Sequence, residues 1–324
     1  MKANFHIVTD GRIERNENTL YFVSAKGRRP IPIENIQQIS CHGSVSVTSQ
    51  ALHLFSKKGI IVHFFNYYGF YDGSYYPRET LLSGELLVKQ AGHYMDGAKR
   101  LEIARRIVTG SIENMRKTIA EYKIEGKADA LKDLAQAVEG TPDITSLMNV
   151  EARSRIEYYD CFDSILKGDL RYEKRTRQPP ENEINAMISF GNSLLYSTVL
   201  SELYNTQLNP TISYLHEPGE RRFSLCLDLA ELFKPLIVDR LIFFLVNKRI
   251  IQVSDFSKAL EGVTFTENGK RTFLKYYEEK LQTTIKHRGL RRNVSYQRLI
   301  RLEAYKLVKH LIGAKPYAPF VMWW

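Results

Sequence analysis

Long apolar runs are missing from this sequence: no stretch of the ~18 residues that suggests a bilayer crossing occurs. The greasiest segment, Leu241 to Val246, follows directly on Asp239 and Arg240. The first 30 residues hold Asp10, Glu14 and Glu17 and no apolar h-region, so no secretory signal is read there. Cysteine is scarce. Cys41, Cys161 and Cys226 are odd in number and far apart, which argues against a disulfide framework and against a cysteine-built zinc site. Internal repeats and low-complexity tracts are also lacking. These absences point to a soluble, cytoplasmic protein with no membrane partner.

What is present is a 324-residue chain, 44% hydrophobic and 25% charged, which is ordinary globular composition and enough for two domains. Its 46 Lys+Arg outnumber 36 Asp+Glu, and the imbalance is concentrated. Between Lys270 and Lys309 stand 12 basic residues against three acids, Glu278, Glu279 and Glu303. Such a basic surface points to a polyanion, nucleic acid first. A solvated charged face is the plainer alternative.

The patterning predicts an α+β protein: a small N-terminal, mainly antiparallel β-domain (1–76), a linker (77–93) and a larger all-α domain (94–324). FHIV, TLYFV, RPIPI, IQQIS, IIVHFFN and GFYDGSYY are strand candidates, interrupted by one helix from a Thr48 or Ser49 cap to Gly59. Helical periodicity opens with Leu101, Ala104, Arg105, Val108 and Ile112. Further helices are expected near 111–123, 127–137, 145–167, 181–204, 224–247, 253–260, 267–284 and 293–312. Arg171 to Glu181 and Leu215 to Arg222 read as irregular, being built around Pro179-Pro180 and Pro218-Gly219.

Chemistry concentrates in LHEPGERRFSLCLDLAELFKP, residues 215–235. His216 precedes a Pro-Gly turn, and Ser224 is positioned to cap the following helix. Asp228 and Glu231, three apart, project to one side of that helix. Imidazole with carboxylates is a mixed N/O donor set suited to Mn²⁺ or Mg²⁺. Pro235 withholds a hydrogen bond from the Glu231 carbonyl and favours a kink. The competing reading pairs Asp228 and Glu231 with Arg221, Arg222 or Lys234. Glu151, taken singly, likewise reads as one half of an i,i+4 ion pair with Arg155. Cys226, between two leucines, reads as buried; the remaining histidines read as structural or solvated.

Taken together, Glu151 with ARSRIEYYD, ISFGNSLLYS at 188–197, the His-Glu-Pro-Gly block and the ending SYQRLIRLEAYKLVKHLIG…YAPFVMWW resemble the CRISPR adaptation integrase family, the universal first CRISPR-associated protein, in its type I-like subgroup. The resemblance implies a metal site of Glu151, His216 and Glu231. Asp228 would be an auxiliary catalytic-site group, and Asn192 and Tyr196 would lie near the site. Glu231 is a mild departure, since relatives often carry Asp there. It further implies a metal-dependent DNA endonuclease and integrase of antiviral defence, inserting captured fragments (spacers) into a CRISPR array by 3′-hydroxyl attack on a phosphodiester.

Implied partners are double-stranded and branched DNA, a second copy through the β-domain, and the small second CRISPR-associated protein, a dimer of which bridges two such homodimers. Alternatives of other classes are a non-catalytic DNA-binding scaffold and a metal-dependent nuclease without an integration role. DNA contacts are expected from Arg221 and Arg222 and from one helical face carrying Arg298, Arg301, Tyr305 and Lys309, which fall within about 80° on a wheel. The Arg171 to Glu181 loop is a further contact, expected to be disordered without DNA.

Overall fold

The computed structural model of the chain describes residues 3–177, 179–219, 223–259 and 262–323. The first part consists of strands β1 (Ala3–Ile7), β2 (Gly11–Asn16), β3 (Thr19–Ser24), β4 (Gly27–Ile31), β5 (Ile36–Cys41) and β6 (Val45–Val47), helix α1 (Ser49–Lys58), then β7 (Ile61–Phe65) and β8 (Tyr71–Tyr75). They form two four-stranded sheets, β1-β5-β7-β8 and β4-β3-β2-β6. Pairing is mixed. β2–β3, β3–β4 and β7–β8 are antiparallel, whereas β1–β5, β5–β7 and β2–β6 are parallel. Parallel neighbours need a crossover, and α1, capped by Thr48 and ended at Gly59 in the left-handed region (φ 65°), supplies the one between β5 and β7. Ile7, Ile13, Leu20, Ile39, Phe55 and Val62 fill the core between these elements.

The segment expected to be a linker does more than connect. Ser83 accepts from Leu86 N at 3.3 Å and starts helix α2 (Gly84–Met95). The helical part continues with α3 (Gly97–Ala120), α4 (Lys127–Ala137), α5 (Ile144–Tyr159), α6 (Phe162–Ile165), α7 (Glu183–Tyr204), α8 (Ser224–Phe233) and α9 (Arg240–Asn247). One turn of π-helix, Lys234–Asp239, joins α8 to α9 where a single helix was expected. Its second residue, Pro235, has no N–H for the preceding turn.

The region expected to be helical at 253–260 is instead a 3-10 turn (Val253–Asp255) running into strand β9 (Phe256–Ala259), which pairs with β10 (Gly262–Phe265). Gly262, which opens β10, stands at φ 109°, a conformation that suits glycine. Then follow α10 (Glu267–Gln282), a second hairpin of β11 (Thr284–His287) and β12 (Arg292–Ser295), and α11 (Tyr296–Leu311). The domain expected to be all-α therefore carries two hairpins.

Helix α7 is the axis of the molecule. Seventeen of its 22 residues are buried, so it reads apolar on every side and other helices surround it. The β-part docks against it and against α10: His63 Nε2 meets Ser201 Oγ at 2.8 Å, and His6 Nε2 meets Glu278 Oε1 at 2.8 Å. Among the described residues, no helix is long and apolar enough to cross a membrane.

Candidate metal centre

Three elements carry the expected site residues. Helix α5 begins at Asp143, which accepts from Ser146 N at 2.7 Å, and presents Glu151 two turns later. Helix α8 presents Asp228 and Glu231. The loop between α7 and α8 presents His216, and that loop is held from several sides. Gln90 of α2 accepts from Asn209 N at 2.9 Å and donates to the carbonyls of Asn209 and Ile212 at 2.9 and 3.0 Å. Arg100 of α3 donates to Tyr214 O at 2.9 Å and pairs with Glu217 at 2.6 Å.

Asp228 makes the deepest anchor. It is fully buried and accepts from the backbone N–H groups of Tyr214, Leu215 and His216 at 2.7, 3.0 and 3.1 Å, and from His216 Nδ1 at 2.8 Å. With both oxygens occupied in this way, it stands behind the histidine as an orienting group. A carboxylate only accepts, so Nδ1 is the donor, which in the neutral ring leaves the lone pair on Nε2. Nε2 makes no hydrogen bond among the described residues. Ser224 is not the helix cap. It donates to Thr211 O at 2.9 Å instead and ties α8 to the start of the loop, while Phe223 occupies the cap position.

Glu151 and Glu231, both largely buried, are bridged by one guanidinium: Arg155 contacts Glu151 Oε1 through Nε and Glu231 Oε2 through Nη2. Lys234 Nζ reaches Glu231 Oε1 at 2.6 Å. Of the ion pairs weighed against a metal reading, Glu151–Arg155 and Glu231–Lys234 form, inside the protein, whereas Asp228 is taken up by the His216 loop. Burial pushes the Glu151 carboxyl up, yet Arg155, Lys234 and His216 around it outweigh burial and hold it below the usual carboxylate range. Burial drives Lys234 well below an ordinary lysine, and Arg155 and Arg177 add to the effect. Asp239, the buried last residue of the π turn, is pushed up to about 7 by burial against the opposing pull of the Tyr158 hydroxyl, Arg155, Lys234 and Arg175.

The donor types fit a divalent ion: two carboxylates and an imidazole already oriented by a carboxylate behind it. Among the described residues, however, no three of His, Cys, Asp or Glu stand together closely enough to hold one. Arg155 stands between the two glutamates. Two carboxylates this buried need a counter-cation, and here Arg155 and Lys234 provide it.

The expected DNA-contacting groups divide. Arg221 and Arg222 lie outside the described residues. Arg298 and Lys309 on α11 are exposed, with Leu299, Ile300, Ala304, Leu307 and Leu311 buried on the opposite face. Arg301 is not free: it pairs with the buried Glu202 of α7 at 2.5 Å, and Tyr305 donates to Asn205 O at 3.2 Å. The wheel put all four on one face, but that face is partly covered by α7.

The Arg171 to Glu181 loop is tied to α7 over its described residues. Asn185 of α7 accepts from Thr176 N at 3.1 Å and donates to Lys174 O at 2.8 Å, and Arg175 is turned inward onto Asn185 and Ser189. Arg171, Lys174 and Arg177 of this loop remain exposed. Tyr196 donates to Phe223 O at 3.1 Å, just before α8, and Cys226 is buried with its thiol pushed well up by burial.

Sequence reasoning named Arg155 and Lys234 only as rival partners. The signal for more was their spacing: Arg155 follows Glu151 by four and Lys234 follows Glu231 by three, each on the glutamate's own helical face.

The fold has close counterparts. Residues 5–279 match the family model described as CRISPR associated protein Cas1. The chain is 57% identical to the CRISPR-associated endonuclease Cas1 of Methanothermobacter thermautotrophicus, covering 100% of this chain and 96% of the relative. It is 54% identical to CRISPR-associated protein Cas1 1 of Methanobrevibacter ruminantium, covering 100% and 99%. Among solved structures, a Cas1 protein from Thermotoga maritima superposes with a TM-score of 0.91 at 43% identity, over 98% of this chain and 99% of the other. A casposase bound to integration product shares the fold at a TM-score of 0.87 and 18% identity, over 97% and 92%. The chain belongs to the Cas1 family of CRISPR adaptation proteins.

Proposed function

We propose that this chain is a metal-dependent DNA endonuclease and strand-transfer enzyme that inserts captured DNA fragments into a CRISPR array. The observation that carries this reading is the meeting of Glu151 and Glu231 on one guanidinium, with His216 close enough to act electrostatically on Glu151, in a chain of this family. Relatives that match along the whole chain are named endonucleases.

Glu151, Glu231 and His216 Nε2 would hold the ion, Mn²⁺ or Mg²⁺. When bound, the metal supplies Lewis-acid charge beside the scissile phosphate. The remaining work belongs to the protein. Asp228 keeps His216 in the Nδ1–H tautomer and fixes the loop that presents it. Arg155 and Lys234 neutralise the two glutamates when no ion is present and supply positive charge near a polyanionic substrate. In the reaction, a 3′-hydroxyl oxygen forms a bond to phosphorus as the bond to the leaving 3′-oxygen breaks, and the hydroxyl proton passes to solvent or to that oxygen. With water in place of the hydroxyl, the same site cleaves.

Double-stranded and branched DNA, a second copy of the chain and the small second CRISPR-associated protein are the proposed partners. The exposed Arg298 and Lys309, with Arg171, Lys174 and Arg177, supply phosphate contacts. The test is strand transfer on a branched DNA with Mn²⁺. Wild type is expected to rejoin the strand, and His216→Ala or EDTA to abolish joining. Full activity in His216→Ala would remove the site from this account. A chain that binds the branch but never acts on it would be a scaffold.

A further inference from the structure

Helix α3 lies unusually close to the end of α8 that carries Glu231. Gly110 makes the approach possible: a Cβ there would stand 2.7 Å from Leu232 Cδ2 and 2.7 Å from Pro319 Cβ. Just beyond it, Ser111 Oγ donates to Glu231 O at 3.0 Å, and Asn114 Nδ2 donates to Leu232 O at 2.9 Å. Asn114 also donates to Phe320 O at 2.9 Å and accepts from Met322 N at 2.9 Å, fastening the C-terminal strap over the same spot. Ser111 and Asn114 are both buried.

The reason for these contacts is in the local sequence. In an α-helix the carbonyl of residue 231 would accept from the N–H of residue 235. That residue is Pro235, which has none, and the π turn follows at once. Ser111 supplies from another helix the hydrogen bond that the proline withholds. Buried carbonyls are obligatory acceptors, so without it the backbone at Glu231 would have to shift to find a donor.

We propose that Ser111 and Asn114 are positioning residues for Glu231: they hold its backbone at the break between α8 and the π turn, so that its carboxylate meets Arg155, the guanidinium it shares with Glu151. This rests on the metal reading above. A group acting through a ligand in this way should change metal affinity by about tenfold.

The test is Mn²⁺ binding to the full chain, read as free Mn²⁺ by electron paramagnetic resonance, with thermal unfolding of the same samples. Ser111→Ala is expected to weaken Mn²⁺ binding about tenfold while the protein stays folded. Pro235→Ala returns an N–H to the Glu231 carbonyl, so in that background Ser111→Ala should have little further effect on affinity. Unchanged binding in Ser111→Ala, beside a wild type that binds, overturns the inference alone. Equal weakening in both backgrounds also overturns it, because a general packing loss would act that way. Wild type that fails to bind Mn²⁺, or binding that survives Glu231→Ala, overturns the metal reading and this inference with it.

Discussion

Single side chains here do opposite things at similar depth. Asp228 and Glu231 lie on one helix three residues apart, yet the first is consumed by the His216 loop and the second faces cations. Histidines divide likewise. His63 is completely buried between Ser74 Oγ at 2.7 Å and Ser201 Oγ at 2.8 Å, and burial, helped by His6, brings it down to about 3. His42, buried against Phe65 and near His6 and Lys270, is also lowered well below the ordinary range by burial first. The unfolded chain takes up these protons near the ordinary histidine value, and the folded chain resists them. The His63 contribution to stability is therefore full above about pH 6.5 and is lost as pH falls toward 3, at roughly 1.4 kcal/mol per pH unit, and His42 acts in the same direction. Urea unfolding of wild type and His63→Gln between pH 7 and pH 5 checks this: the variant should lose roughly 2 kcal/mol less over that interval. Parallel pH profiles would contradict it.

At the scale of elements, α11 shows what a helical wheel does and does not disclose. Arg298 and Lys309 face outward, but Arg301 points at Glu202, whose other oxygen takes Gln37 from the β-part. Arg298→Ala and Lys309→Ala should each weaken DNA binding across sequences and reduce the slope of log affinity against log salt by about 1. Arg301→Ala should instead cost stability, about 3–5 kcal/mol, because it leaves the buried Glu202 carboxylate without its cation. Salt titrations of binding and urea unfolding of the three variants separate the two roles; a lowered salt slope in Arg301→Ala would contradict the assignment.

The same distinction explains what was legible beforehand. The long helices and the strand at IIVHFFN announce themselves by period and composition. Strand β2, GRIERN, does not, because Ile13 is its only fully buried residue and its other side is charged. The hairpin at 256–265 was hidden because FSKALEGVTF mixes helix formers with strand formers, and pairing with its neighbour decides the outcome. At the site, the donor types and the Pro235 break were readable from spacing. Ser111, Asn114 and Gln90 were not, since each acts on a segment more than 100 residues away.

For the whole molecule, the site depends on parts remote from each other in the chain. Helix α7 receives the β-part through His63 and Ser201 and receives α11 through Glu202 and Arg301, while α3 and the C-terminal strap brace α8. The glutamates come from α5 and α8 and the histidine from the loop before α8, so the site forms only when the helical part is assembled. Arg155 and Lys234 balance the charge of the two glutamates there.

The central claim is that this assembly joins DNA strands through a 3′-hydroxyl. The most direct measurement supplies one branched DNA in two forms, ending in a 3′-hydroxyl or in a 3′-deoxy terminus, with Mn²⁺ and wild-type protein. The account predicts a joined product from the hydroxyl substrate alone, lost in Glu151→Ala and in Glu231→Ala. Cleavage without joining on the hydroxyl substrate, or joining that persists in either variant, would contradict it.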